Sequence, residues 1–135
     1  MQANWFLIEH QLFLDDSGSL RVLDGPALPF KPQRIFWVTE APKGETRGCH
    51  SHRTGHQVLL CIRGAVSVRL FDGLVEQELI IGPDSLGIHV LPGVWAEQTY
   101  LEPDSILLVL SSVAFTESDY IRSKEEFALF LKQAN

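Results

Sequence analysis

The chain has 135 residues, 45% hydrophobic and 21% charged, with 11 basic against 17 acidic side chains and a formal charge of -6. That is the size and composition of one globular domain, 1–135, which can bury a real core without disulfide or metal staples. It excludes disorder and collagen-like repeats, and it argues against a general affinity for nucleic acid or membrane surfaces.

In chain order, short apolar or alternating runs predict strands over 5–8, 19–23, 34–38, 57–62, 65–71, 74–80, 86–91 and 105–110, with no helix-length period between them. The dipeptide Asp72-Gly73 predicts a two-residue type I′ hairpin, and Arg63-Gly64 predicts a second hairpin. Val66, Val68 and Leu70 alternate with Ser67, Arg69 and Phe71, so one face of that strand belongs to a core. Ser123 and Glu126 have capping-box spacing ahead of Phe127, Leu129, Phe130 and Leu131, which predicts a short C-terminal helix packed on a sheet. Many regularly spaced strands imply an all-β sandwich or barrel. No apolar run approaches the roughly 20 residues that span a bilayer. Cys49 and Cys61, without a leader pattern, point to reduced thiols in a cytoplasm. Charge is uneven: between Lys31 and Arg53 five basic residues face two acidic ones, a local +3 that suits an anionic small molecule.

The chemistry concentrates in Gly44-x5-His50-x-His52-x4-Gln57-x6-Gly64. Residues two apart on a strand project to one side, so His50 and His52 share a cavity if that side is concave. Arg47 and Arg53 flank them. His89 lies between Ile88 and Val90 and points opposite to them, toward either the same cavity or a core role; His10 reads as an ordinary surface group.

The spacing resembles the first cupin motif, with Gln57 at its Glu position, and Leu91-Pro92-Gly93-Val94-Trp95-Ala96 resembles the second, with Ala96 at its His position. Two of the four usual ligands remain, so no metal is expected; His56 and His89 complete a site only if the strand bulges. A longer resemblance runs from about Ser17 to Phe130. Its segments are Pro29 to Arg34, Arg47-Gly48-Cys49-His50-Ser51-His52-Arg53, His56 to Ile62, Gly93-Val94-Trp95 and Ser118-Asp119-Tyr120-Ile121-Arg122. These are similar to the sugar 3,4-ketoisomerase cupins of the FdtA, QdtA and WxcM-like group. The resemblance implies a metal-independent, cofactor-free jelly roll acting on dTDP-4-keto-6-deoxyglucose in deoxysugar and surface-glycan biosynthesis. It also implies a homodimer that exchanges its N-terminal strand, and the apolar segment from Trp5 to Leu14 suits that role.

Moving a carbonyl from carbon 4 to carbon 3 of a sugar requires a proton off carbon 3, an enediolate, and a proton onto carbon 4. Histidine titrates in the right range for both transfers. His52 is the expected proton shuttle, His50 helps hold the sugar, and Arg47 stabilises the enediolate. Arg34, Arg53 and Lys31 are expected on the pyrophosphate, and the thymine stacks on Phe36 or Trp37. Ala96 and Ser17 depart from the group's pattern. A nucleotide-sugar binding cupin without catalysis is therefore the alternative, and a metal-dependent cupin oxygenase is the third.

Overall fold

The computed structural model describes residues 3–134. Its strands pair antiparallel in two five-stranded sheets. The first runs in the order β1 (Trp5–Ile8), β9 (Gly87–Val90), β6 (Gln57–Arg63), β11 (Ile106–Ser111), β4 (Arg34–Val38). The second runs β12 (Tyr120–Ile121), β5 (Thr46–His52), β10 (Trp95–Tyr100), β7 (Val66–Phe71), β8 (Glu76–Ile81). A separate hairpin joins β2 (Gln11–Asp15) to β3 (Gly18–Val22). From β4 onward the chain changes sheet at every connection except β7 to β8, which is an antiparallel jelly roll, as the resemblance implies and within the sandwich class expected from the strand spacing.

Two turns differ from expectation. Arg63-Gly64 joins β6 to β7, which lie in different sheets, so it is a corner rather than a hairpin. A two-residue turn signal says that the chain reverses, not which sheet it returns to. Asp72-Gly73 does sit in the β7–β8 hairpin, but the last register pair is Phe71 with Glu76, which leaves a four-residue turn. Gly73 has φ 100, whereas Asp72 is not among the residues with positive φ, as type I′ would require. Instead the Asp72 carboxylate accepts from the backbone N–H of Leu74 (3.0 Å) and Val75 (2.8 Å).

The core lies between the sheets. Val66, Val68 and Leu70 from β7 are fully buried against Leu59, Ile88, Leu107 and Val109. Each side chain taken out of water in this way contributes roughly 1.5–3 kcal/mol. The helix α1 (Lys124–Ala134) starts where the spacing places it, with Ser123 Oγ accepting from the Glu126 N–H at 3.1 Å. It lies on the outer face of the second sheet, where Phe127 packs with Trp95 and Ile121. That contact pins β12, and β12 in turn pairs Tyr120 with His52 and Ile121 with Ser51. Ile121 anchors the strand outward while Tyr120 is delivered to the inner face. Among the described residues no helix is long and apolar enough to cross a membrane.

Candidate active site

The register of β5 on β10 shifts between Ala96 and Glu97, and this bulge aims the histidines. Gly48 (φ 81) and Cys49 (φ 57) both adopt left-handed backbone there. A Cβ on Gly48 would strike the Gln98 side chain and come within 3.2 Å of the Ala96 carbonyl, so only glycine fits. The bulge turns the Gly48 carbonyl toward His50, whose Nδ1–H donates to it at 3.0 Å. A carbonyl can only accept, so the proton is fixed on Nδ1 and His50 Nε2 carries the lone pair.

His50 lines a cavity of about 460 Å³ between the two sheets. The first sheet contributes Arg34, Phe36, Gln57 and Val109, and the second contributes Arg47, Gln98 and Tyr100. Tyr120 and Arg122 wall one side. Arg34 Nη1 donates to the Tyr120 hydroxyl at 2.8 Å, tying the first sheet to β12, and its guanidinium lies 4.3 Å over Phe36. Tyr120 packs edge-on to His50 with centroids 4.9 Å apart. Burial, then the proximity of His52, lowers the His50 pKa to about 4. Its imidazole is therefore neutral at physiological pH, the form a base needs.

His52 is buried behind this wall, its ring 5.0 Å from that of His50 and 4.5 Å from that of Tyr120. Its Nδ1–H donates to Asp119 Oδ2 at 2.9 Å. Asp119, also buried, accepts from the Thr54 N–H (2.8 Å) and hydroxyl (2.9 Å) through Oδ1. Burial pushes the Asp119 carboxyl up, but the bonds from Thr54 and His52 outweigh it and hold the pKa below the usual value. Burial lowers His52 as well, against the pull of Asp119, so the pair is a neutral imidazole on a carboxylate. His52 Nε2 has no hydrogen-bond partner.

Of the residues expected in the site, His50, Arg47, Arg34 and Phe36 line the cavity. His52 does not line the cavity; it stands one layer back, packed against His50 and Tyr120. Four others lie elsewhere. Trp37 is 65% exposed on the outer face of β4, because strand alternation sends it opposite to Phe36. His89 also faces outward, with its Nε2 2.9 Å from His56 Nδ1 and its ring against Phe30 and Phe6. The bulge that governs the histidines falls in β5, not at His56, which stays outside the cavity. Arg53 is spent on structure, with Nη2 donating to Glu126 (3.1 Å) and Nε to the Ser118 carbonyl (3.2 Å), which clamps the helix to β5. Lys31 is exposed in the loop before β4 and does not line the cavity. Sequence reasoning passed over Asp119, Tyr120 and Arg122 as site residues, although the Asp-Tyr-Ile-Arg run had marked their segment. Ala96 pairs with His50 across β10 and β5 and presents only a methyl group beside it. Among the described residues no group of three or more His, Cys, Asp or Glu side chains is placed to hold a metal ion.

A jelly roll with a hollow between its sheets, lined by His50 and by Arg34, Arg47 and Arg122, with His52 packed behind His50, defines a cupin-type protein. The sequence matches the FdtA family (WxcM-like, C-terminal) over residues 3–132, and the chain belongs to this family. It is 32% identical over 130 residues to the TDP-4-oxo-6-deoxy-alpha-D-glucose-3,4-oxoisomerase of Aneurinibacillus thermoaerophilus, covering 96% of this chain and 94% of that one. It superposes with a TM-score of 0.93 on QdtA, a sugar 3,4-ketoisomerase from Thermoanaerobacterium thermosaccharolyticum solved with TDP, at 34% identity and 99% and 98% coverage. A His-to-Asn variant of QdtA solved with TDP-4-keto-6-deoxyglucose gives a TM-score of 0.90 at 33% identity, covering 99% of this chain and 96% of that one.

Proposed function

We propose that this protein is a 3,4-ketoisomerase of a TDP-linked 4-keto-6-deoxyhexose, serving deoxysugar biosynthesis. The observation that carries the reading is His50, which has its Nδ1–H locked on Gly48 and its Nε2 lone pair unprotonated on the cavity. His50 takes the proton from carbon 3, the charge spreads onto the carbonyl oxygen at carbon 4, and the hydroxyl proton passes from one oxygen to the other. The imidazolium returns its proton to carbon 4. Atoms and charge balance without an oxidant. His52, held by Asp119, packs His50 from behind and keeps it in place. Arg47, exposed at the rim, and Arg34 supply fork donors for the diphosphate, with Phe36 and Phe115 as surfaces for the base. This moves Arg47 from the enediolate to the phosphates, since a solvated guanidinium stabilises a desolvated oxyanion weakly.

The test is proton NMR of TDP-4-keto-6-deoxyglucose with catalytic protein. The reading expects conversion to the 3-keto isomer. Tight binding with neither conversion nor exchange at carbon 3 would leave the non-catalytic binder instead.

The working form under this proposal is a homodimer in which residues 5–14 pack against the partner. Leu7, Leu12, Phe13, Leu14 and Leu20 are all largely exposed, a density of apolar surface that a second copy would cover. An apolar hollow of about 450 Å³ on the same outer face, lined by Leu23, Leu60, Ile62 and Leu108, extends that surface. The free thiols of Cys49 and Cys61 suit a cytoplasmic reaction.

A further inference from the structure

We propose that Gln57 is a catalytic residue of this isomerase, its side-chain amide holding the two neighbouring oxygens between which the carbonyl moves. The inference rests on the ketoisomerase reading and adds a residue to it. Gln57 opens β6 and lies on the inner face of the first sheet, paired with Ser111 on one side and Val90 on the other. Ser111 is also the register partner of Arg34, so Gln57 sits two strands from Arg34. That is about 10 Å across the sheet, at the end of the cavity where Arg34 and Tyr120 meet His50.

Gln57 is 7% exposed, and its amide nitrogen has no hydrogen-bond partner. A buried amide without a partner is held at a cost unless a ligand completes it. Val58, next along β6, is a fully buried outer-face residue, so the strand has no freedom to rotate Gln57 out to water.

The chemistry of an amide suits this reaction better than that of a carboxylate. The substrate offers a carbonyl acceptor and a hydroxyl donor on adjacent carbons, and an amide offers one donor and one acceptor side by side. Its N–H pairs with the carbonyl oxygen and strengthens that bond as the oxygen becomes an enediolate. Its C=O accepts from the hydroxyl. In the product the two oxygens have exchanged roles, and a half-turn of the amide about its last torsion restores both bonds. An ionised carboxylate at this position could accept twice but donate nothing, and it would repel the developing negative charge.

The experiment measures kcat and KM for TDP-4-keto-6-deoxyglucose, deuterium exchange at carbon 3, TDP affinity and thermal midpoint for the wild type, Gln57→Met and Gln57→Glu. Methionine keeps the volume and removes the amide. Glutamate keeps the shape, and so the fold, while losing the donor when ionised. The expected result at pH 8 is a fall of about 100-fold in kcat and in carbon-3 exchange for both variants. TDP affinity should stay within about threefold, since the amide touches the sugar and not the nucleotide, and KM should rise by much less than kcat falls, because the bond to the oxygen strengthens in the transition state. If the wild type is active and Gln57→Glu, or a folded Gln57→Met, keeps more than half of its kcat, the role of Gln57 is overturned while the isomerase reading stands. A loss confined to KM would make Gln57 a binding residue only, and a loss confined to the thermal midpoint a structural one; either overturns the inference. A wild type that neither isomerises the substrate nor exchanges its proton overturns the isomerase reading, and this inference with it.

Discussion

Keeping His50 neutral makes the protein acid-sensitive before its carboxylates begin to titrate. The unfolded histidine has a pKa of 6.5 and the folded one about 4, mainly because burial disfavours the charged ring. The unfolded chain therefore takes up this proton first, and unfolding is favoured as pH falls. The stability tied to the neutral ring is fully present above about pH 6.5 and is lost progressively as pH drops toward 4. A difference of about 2.5 units at 1.36 kcal/mol each amounts to roughly 3 kcal/mol, a large part of a typical folding stability of about 5–15 kcal/mol. Urea unfolding at pH 7, 6, 5 and 4 measures it, with His50→Asn as the comparison, because asparagine removes this titration and leaves the others. The wild type should lose about 3 kcal/mol more than His50→Asn between pH 7 and 4. Equal pH slopes for the two proteins, or a His50 titration midpoint near 6.5 by NMR, would refute the argument that burial holds this ring neutral.

Three further outcomes are expected. The acid limb of kcat/KM should fall well below pH 6.5, because His50 in the free enzyme stays unprotonated until about pH 4; a limb centred at 6.5 would contradict this. Asp119→Ala strands the buried His52 Nδ1–H and the Thr54 N–H, at roughly 1.5–3 kcal/mol for each bond to a carboxylate. Its thermal midpoint should accordingly drop by about 10 °C or more, and a change of a degree or two would show the carboxylate to be dispensable. Sedimentation at micromolar concentration should give a dimer, and Leu14→Glu should shift it toward monomer; a monomeric wild type would remove the proposed partner surface.

Much of the architecture was legible because an antiparallel sandwich writes itself into alternation. The run from Val66 to Phe71 fixes one buried face, and the capping pair at Ser123 and Glu126 fixes the helix start. The strands passed over explain themselves physically. β10 carries Ala96, Glu97, Gln98 and Thr99, polar or small residues whose extended form comes from ladder bonds to β5 and β7 on either side. β12 is two residues long and exists because α1 presses Ile121 onto β5. The candidate site was legible as a histidine pair, since parity alone puts His50 and His52 on one side. Which of the two reaches the cavity depends on the Gly48-Cys49 bulge and on Tyr120, neither of which periodicity reveals. For the same reason parity separated Phe36 from Trp37 without saying which one faces inward. Arg53 adjoins His52 in sequence, but it stands at the end of β5 where Glu126 and Ser118 are nearer than the cavity.

The central claim is that His50 moves the proton and His52 positions it. The direct measurement is NMR of TDP-4-keto-6-deoxyglucose in deuterium oxide with the wild type, His50→Asn and His52→Asn, following loss of the carbon-3 proton. The wild type should exchange it. His50→Asn should slow exchange by at least about a hundredfold, while His52→Asn, which loses only the support behind His50, should fall less. Exchange by His50→Asn at the wild-type rate, with His52→Asn inactive, would place the base on His52 and contradict the account.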